Sequence, residues 1–171
     1  MDGGVVAADW ERAFRVLLAT RGGALRCYAY LLTGDPTAAG DLVQEALTRV
    51  FGRRRVGADI DQLEAYVRRA MLNQYVDSRR RLKRWNATRH LLVDPPHHDD
   101  DRVAVADEVR RALATLSPRQ RACVVLRYYE DLTVTEIADE LGCAEGTVKR
   151  HLADARAKLA TQLGMSEEST R

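Results

Sequence analysis

The residues best suited to recognition chemistry stand close together near the C-terminus, in LGCAEGTVKRHL (141–152) and the ADAR that follows it. Lys149 and Arg150 carry donors that match guanine O6 and N7, and Asp154 carries an acceptor for the cytosine amino group. On a helix starting near Glu145, the outward positions are Glu145, Thr147, Lys149, Arg150, Ala153 and Asp154. Arg156 and Lys158 follow at spacings suited to phosphate, and Arg119, Arg121 and Arg127 extend the same basic surface. The chemistry expected here is the reading of base edges in a DNA groove.

Such residues act only if a second helix holds theirs at a fixed angle. LTVTEIADELGCAEGTVKRHL meets the three demands of a helix-turn-helix. Ala138 is the small residue where the helices cross. Gly142 tolerates the positive φ of the turn. Ile137, Leu141, Val148, Leu152 and Leu159 anchor both helices. Two capping boxes precede helices upstream: Ser117 with Pro118 and Gln120, and Thr133 with Glu136. Ala144 lacks a side-chain acceptor, so a less well capped recognition helix is expected.

The rest of the 171 residues also reads as helix, without a convincing period-2 strand. A first helix over about Asp9–Leu32 places Trp10, Phe14, Leu17, Leu18, Leu25, Tyr28 and Leu32 on one face, with a kink or break expected at Gly22-Gly23. Asp35 and Pro36 start a second helix whose apolar face holds Leu42, Ala46, Leu47, Val50 and Phe51. A third runs from about Asp61 to Arg84, with Leu63, Tyr66, Val67, Ala70, Met71 and Tyr75 as its stripe. VDPPHHDDD (93–101) then drops nearly all apolar content and reads as a tether. The expected fold is all-α: two small helical domains joined by a flexible acidic linker, the C-terminal one a helix-turn-helix. The boundaries are 1–92, 93–104 for the linker, and 105–171.

Several function classes are excluded at this level. Cys27, Cys123 and Cys143 are widely spaced and form no CxxC, so buried reduced thiols are expected rather than disulfides or a zinc site. His90, His97, His98 and His151 share no helical face with acids, and no GxxxxGK[ST] is present. No catalytic residues, metal, cofactor or small-molecule substrate are expected. No apolar run approaches the ~20 residues of a membrane span, and no secretory signal opens the chain, so the expected location is cytoplasmic. The net charge of +2 hides clustered arginines set apart from the acids.

Three segments carry a family resemblance. GDPTAAGDLVQEALTRVF resembles the core-polymerase-binding helix of bacterial sigma factors. LEAYVRRAMLNQYVDSRRRLKR resembles their promoter –10 helix. LATLSPRQRACVVLRYYEDLTVTEIADELGCAEGTVKRHLADARAKL resembles their –35-reading domain. Order, spacing and length are similar to those of extracytoplasmic-function sigma factors of the sigma-70 superfamily, which keep only domains 2 and 4. The resemblance implies that Asp41, Gln44 and Glu45 dock on the clamp coiled coil of the largest polymerase subunit. It implies that Asn73 lies near the flipped –10 base, with Asp77 and Arg80 one and two turns on, and that exposed Arg68, Arg69, Arg79, Arg81, Lys83 and Arg84 track the DNA backbone of the –10 element. The loop from about Val56 to Gln62 would pocket a flipped base. Thr147, Lys149, Arg150, Ala153, Asp154 and Arg156 fall where the family meets –35 bases and phosphates. The linker acids Asp94, Asp99, Asp100 and Asp101 would mimic nucleic acid inside the polymerase.

The implied partners are core RNA polymerase, through its clamp coiled coil and flap, and promoter DNA. Relatives are often held by an anti-sigma factor, so such a partner belongs to the expectation. The resemblance also shows departures: Gly40 replaces a usual acid, Tyr66 stands where many members have tryptophan, and Asp154 often aligns with arginine. The competing reading is a stand-alone helix-turn-helix regulator with a partner-binding N-terminal domain. It would require a dimerisation helix after the reader, and only GMSEESTR follows Leu163.

Overall fold

A computed structural model describes residues 3–53, 59–89 and 104–162, with side chains over 10–52, 59–78 and 109–162. The described residues form α1 (Gly3–Thr33), α2 (Pro36–Arg53), α3 (Ile60–Arg89), α4 (Ala104–Ala114), α5 (Pro118–Tyr128), α6 (Val134–Leu141) and α7 (Glu145–Gln162), with no strand among them. The chain divides into two compact units, Met1–Tyr75 and Val76–Arg171. The expected linker stretch 93–103, including its four acids, lies outside the described residues, as do His90, the loop residues 56–58 and Leu163. Ala104 already opens α4.

In the first unit, α1 ends on Gly34, whose φ of 76° suits glycine and whose N–H donates to the Tyr30 carbonyl at 2.7 Å. Asp35 then caps α2, its Oδ1 accepting the Ala38 N–H at 2.7 Å, with Pro36 at the first helical position as expected. Leu17, Leu25, Tyr28, Ala29 and Leu32 of α1 are buried, as are Ala39, Val43, Ala46, Leu47 and Val50 of α2. The stripe Leu63, Val67, Met71, Leu72 and Tyr75 of α3 is buried too.

The expected kink or break at Gly22-Gly23 is not a break: α1 runs helical through both glycines. Two interior glycines cost roughly 2 kcal/mol of propensity. Burial of each large apolar side chain contributes about 1.5–3 kcal/mol, and four such residues flank the pair. Packing therefore outweighs propensity. Trp10, Leu18 and Tyr66, expected on apolar faces, remain more than a third exposed. Trp10 still joins an aromatic cluster at the start of the described α1 side chains, with Phe14 edge-on to Phe51 at 5.1 Å and Trp10 tilted over Phe51 at 6.4 Å.

The polar tie between α1 and α3 was not legible in the sequence. Glu64 is largely buried and accepts from two guanidinium groups. Arg21 approaches at 2.9 Å and also reaches Asp61 at 3.1 Å. Arg68 donates to Glu64 Oε1 through Nη2 at 2.6 Å and Nε at 3.1 Å, and lies 5.4 Å over the Tyr28 ring. Arg68 was expected to be exposed; this geometry holds it inside the unit instead.

The second unit is built on Ala112, Leu113 and Leu116, the buried run Ala122–Leu126, Ile137 and Ala138, and Val148, Leu152 and Ala155. Both capping boxes form. Gln120 N–H donates to Ser117 Oγ at 3.3 Å and Ser117 N–H returns to Gln120 Oε1 at 3.0 Å. Thr133 N–H donates to Glu136 Oε2 at 2.8 Å, and Glu136 N–H to Thr133 Oγ1 at 3.3 Å. These donors hold the exposed Glu136 carboxyl below its ordinary pKa of 4.5.

Gly142 ends α6 at φ 58°, ψ 48°. Cys143 N–H returns to the Ala138 carbonyl at 3.0 Å and Gly142 N–H to the Asp139 carbonyl at 3.3 Å, a Schellman closure. A Cβ at Gly142 would meet nothing within 4 Å, so its cost is conformational alone. Gly142→Ala is expected to destabilise the protein by about 1–2 kcal/mol, read as a lower denaturation midpoint with an unchanged m-value.

Candidate nucleic-acid and polymerase interfaces

The turn at Gly142 delivers the chain into α7 with one face committed to the core. Val148, Leu152 and Ala155 repeat at four- and three-residue steps and are buried. Glu145, Lys149, Arg150, Ala153, Asp154 and Arg156 are exposed, and Thr147 is half-buried beside them. Ala144 contributes only its carbonyl to the start of α7, accepting from Thr147 at 2.9 Å and Val148 at 3.3 Å. Glu145 puts a negative charge in the first turn, where the helix dipole favours one. Its carboxylate accepts from the Thr135 hydroxyl of α6 at 2.7 Å and stands 3.8 Å from Lys149 Nζ. No sequence signal singled out that tie, because Thr135 lies ten residues away on another helix.

The surrounding basic surface is smaller than expected. Arg121 is buried, and Arg127 donates to the Leu132 carbonyl at 2.8 Å, closing the α5–α6 turn. Lys158 reaches back to Gln120 Oε1 at 3.2 Å. Arg121 and Arg127 belong to α5, whose run Gln120–Leu126 is buried, so their long side chains lie along the core, whereas Lys158 is an exposed α7 residue that reaches across to α5.

His151 is the titratable group set into α7. Its Nδ1 is buried without a hydrogen-bond partner among the described residues. Burial first, then the charges of Arg119 and Arg150, hold its pKa below the ordinary 6.5, against a smaller opposing effect of Asp154. The fold thus favours neutral imidazole. As pH falls below about 6.5 the unfolded chain takes up a proton before the folded one, so stability present at neutral pH is lost towards the folded pKa. The denaturation midpoint is expected to drop as pH falls through and below 6.5, and His151→Gln to flatten that drop.

In the first unit, Asp41, Gln44 and Glu45 lie on the exposed side of α2, opposite Val43, Ala46, Leu47 and Val50. Glu45 stands 3.8 Å from Arg49, one turn on. On α3, Arg69, Asn73 and Asp77 are exposed at successive four-residue steps and share a face. Arg79, Arg80, Arg81, Lys83 and Arg84 belong to the same helix, but their side chains lie outside the described residues. Gln74, next to Asn73, turns inward and is buried, its carboxamide unpartnered among the described residues.

The cysteines divide. Cys27 is exposed, contrary to the expected buried thiol, because it falls between the inward positions Leu25 and Tyr28. Cys123 is buried and its thiol pushed up to about 12, chiefly by desolvation. Among the described residues no group of three or more His, Cys, Asp or Glu is placed to hold a metal. No described helix is long and apolar enough to cross a membrane.

Comparison with known proteins places this geometry. The sequence matches the family Sigma-70 region 2 over residues 17–85 and the family Sigma-70, region 4 over residues 106–159. It is 36% identical over 155 residues to the RNA polymerase sigma-E factor of Streptomyces coelicolor, covering 88% of this chain and 85% of that one. The chain belongs to the sigma-70 superfamily, in its extracytoplasmic-function branch. A second relative, the ECF RNA polymerase sigma factor SigL of Mycobacterium tuberculosis, is 33% identical, with 87% of each chain covered. Among solved structures, the sigma factor RpoE of Bartonella quintana, in complex with the anti-sigma factor NepR, has the same fold. Its TM-score is 0.67 at 24% identity, over 90% of this chain and 98% of that one. CnrH, in complex with the cytosolic domain of CnrY, aligns with a TM-score of 0.58 at 25% identity, covering 95% and 97%. As a sigma factor, the chain directs promoter-specific initiation of transcription; the stand-alone regulator is not favoured. Region 2 spans the later part of α1, α2 and most of α3, and region 4 spans α4 to α7.

Proposed function

We propose that this sigma factor works in the cytoplasm on core RNA polymerase, without catalytic activity of its own, and divides three tasks among its helices. Residues 1–92 and 105–171 serve as the two working domains, with 93–104 as the linker between them. Asp41, Gln44 and Glu45 dock α2 on the basic clamp coiled coil. Arg69, Asn73 and Asp77, with Arg80, Arg81 and Arg84 further along α3, meet the melted –10 element. Thr147, Lys149, Arg150, Ala153, Asp154 and Arg156 meet the –35 element, and region 4 rests on the polymerase flap. Arg68 leaves the set of free DNA contacts, because Glu64 and the Tyr28 ring already hold it.

The observation that carries this reading is the two-region order on one chain, each region presenting a coherent polar face. Three polar side chains on α2 without a buried role suit a basic partner surface. An exposed amide and a guanidinium one turn apart on α3 suit a single strand, whose unstacked bases expose their edges. Flipping a base costs a few kcal/mol, which contacts to the displaced strand must offset. Promoter opening then follows from binding energy alone, and phosphodiester chemistry stays with the core enzyme. The solved RpoE, named in complex with the anti-sigma factor NepR, supports control by a protein of that kind.

The deciding experiment is multi-round transcription by purified core bacterial polymerase on sheared genomic DNA, with and without the protein, reading the 5′ ends. Discrete new starts sharing –10 and –35 motifs are expected. Specific DNA binding by the protein alone, with no new starts, would return the assignment to an independent regulator.

A further inference from the structure

Glu145 is the first residue of α7, and its carboxylate is fixed rather than swinging in solvent. The Thr135 hydroxyl takes one oxygen, Oε1, at 2.7 Å across the α6–α7 junction. The other, Oε2, faces Lys149 Nζ at 3.8 Å, an exposed pair too weak and too long to occupy it. About half of the Glu145 side chain is open. Its neighbour Gly146 is exposed, and a Cβ there would meet nothing within 4 Å beyond its chain neighbours and its own helix backbone. Gly146 is not in the left-handed region, so neither packing nor backbone conformation calls for glycine. The surface beside the carboxylate is open to close approach from outside the chain.

A fixed carboxylate at the leading end of a recognition helix has a narrow range of DNA partners. It repels phosphate, so where α7 enters the groove a contact from it to DNA falls on base edges rather than on the backbone. It can only accept, and the major-groove partner that matches an acceptor-only group is the cytosine amino group. Lys149, one turn along the same face, can only donate and matches guanine O6 and N7. Together they form a rigid acceptor beside a donor.

We propose that Glu145 is a specificity-determining residue of the –35 reader, its Thr135-anchored carboxylate selecting cytosine at one position next to the base met by Lys149. The proposal rests on α7 being the –35 reader, and its test separates the two. Full-length protein with core polymerase is equilibrated with promoter duplexes randomised through the –35 element, and bound DNA is sequenced. Wild type is expected to enrich cytosine at one position. Glu145→Ala loses that preference by roughly 10- to 100-fold. Glu145→Gln shifts it to adenine, because a carboxamide both donates and accepts. Thr135→Val keeps cytosine with weaker discrimination, and the other positions stay as in wild type. If Glu145→Ala and Glu145→Gln retain the wild-type preference everywhere, Glu145 only stabilises the helix start and the proposal is overturned. If wild type itself enriches no –35 sequence, the –35 assignment of α7 falls, and this proposal with it.

Discussion

Charge reversal of Asp41 and Glu45 together to arginine is expected to reduce promoter-specific transcription by about two orders of magnitude or more, without unfolding the protein. Both side chains are exposed on α2, away from its buried face. Losing the exposed i, i+4 pair Glu45–Arg49 costs about 0.3–0.5 kcal/mol, and setting a second cation one turn from Arg49 costs a similar amount. The cost to the fold is therefore about 1 kcal/mol or less. Docking is not, because like charges set against a basic surface cost several kcal/mol. Pull-down with core polymerase checks the cause. Retention of the variant at wild-type level would remove Asp41 and Glu45 from the docking face, even if transcription fell.

The second large effect is expected at the other end of the chain. Lys149→Ala and Arg150→Ala should each weaken –35 recognition by about 1–3 kcal/mol if the side chains pair bidentately with guanine. That is roughly a 5- to 150-fold loss of discrimination at the contacted base. Neither side chain is in the core, and Val148 and Leu152 hold α7 in place without them. Titrations against matched and mismatched –35 duplexes over a range of salt separate the two modes of contact. A base contact relaxes specificity at one position. A phosphate contact weakens every duplex equally and lowers the salt slope by about 1. Lys149 starts beside Glu145 and Arg150 does not, so their losses need not be equal.

Local rules written into short stretches were readable in advance. The boxes at Ser117 and Thr133, the αL position of Gly142, the Asp35-Pro36 start of α2 and the buried seam of α7 all formed as the sequence implied. Each depends on residues within a turn or two of one another, so chain connectivity alone brings the partners together. The polar faces of α2 and α7 were readable for the same reason, since helical period assigns a face as soon as the apolar positions are known.

What the sequence by itself determined is the all-helical fold, the caps at Asp35, Ser117, Thr133 and Gly142, and the outward residues of α2 and α7, whereas α1 begins at Gly3 rather than near Asp9 and α3 runs on to Arg89 rather than Arg84. Only the tertiary structure decided which cations remain available. Arg68 folds onto Glu64 and Tyr28, Arg121 is enclosed, Arg127 closes a turn, and Lys158 bends back to Gln120. Only the tertiary structure carried α1 through two glycines, exposed Tyr66 and Cys27, and joined Thr135 to Glu145. The physical reason is range. Caps and faces follow from backbone geometry over a few residues, whereas the fate of a long charged side chain depends on whichever acceptor or ring another helix places within about 3–5 Å of it.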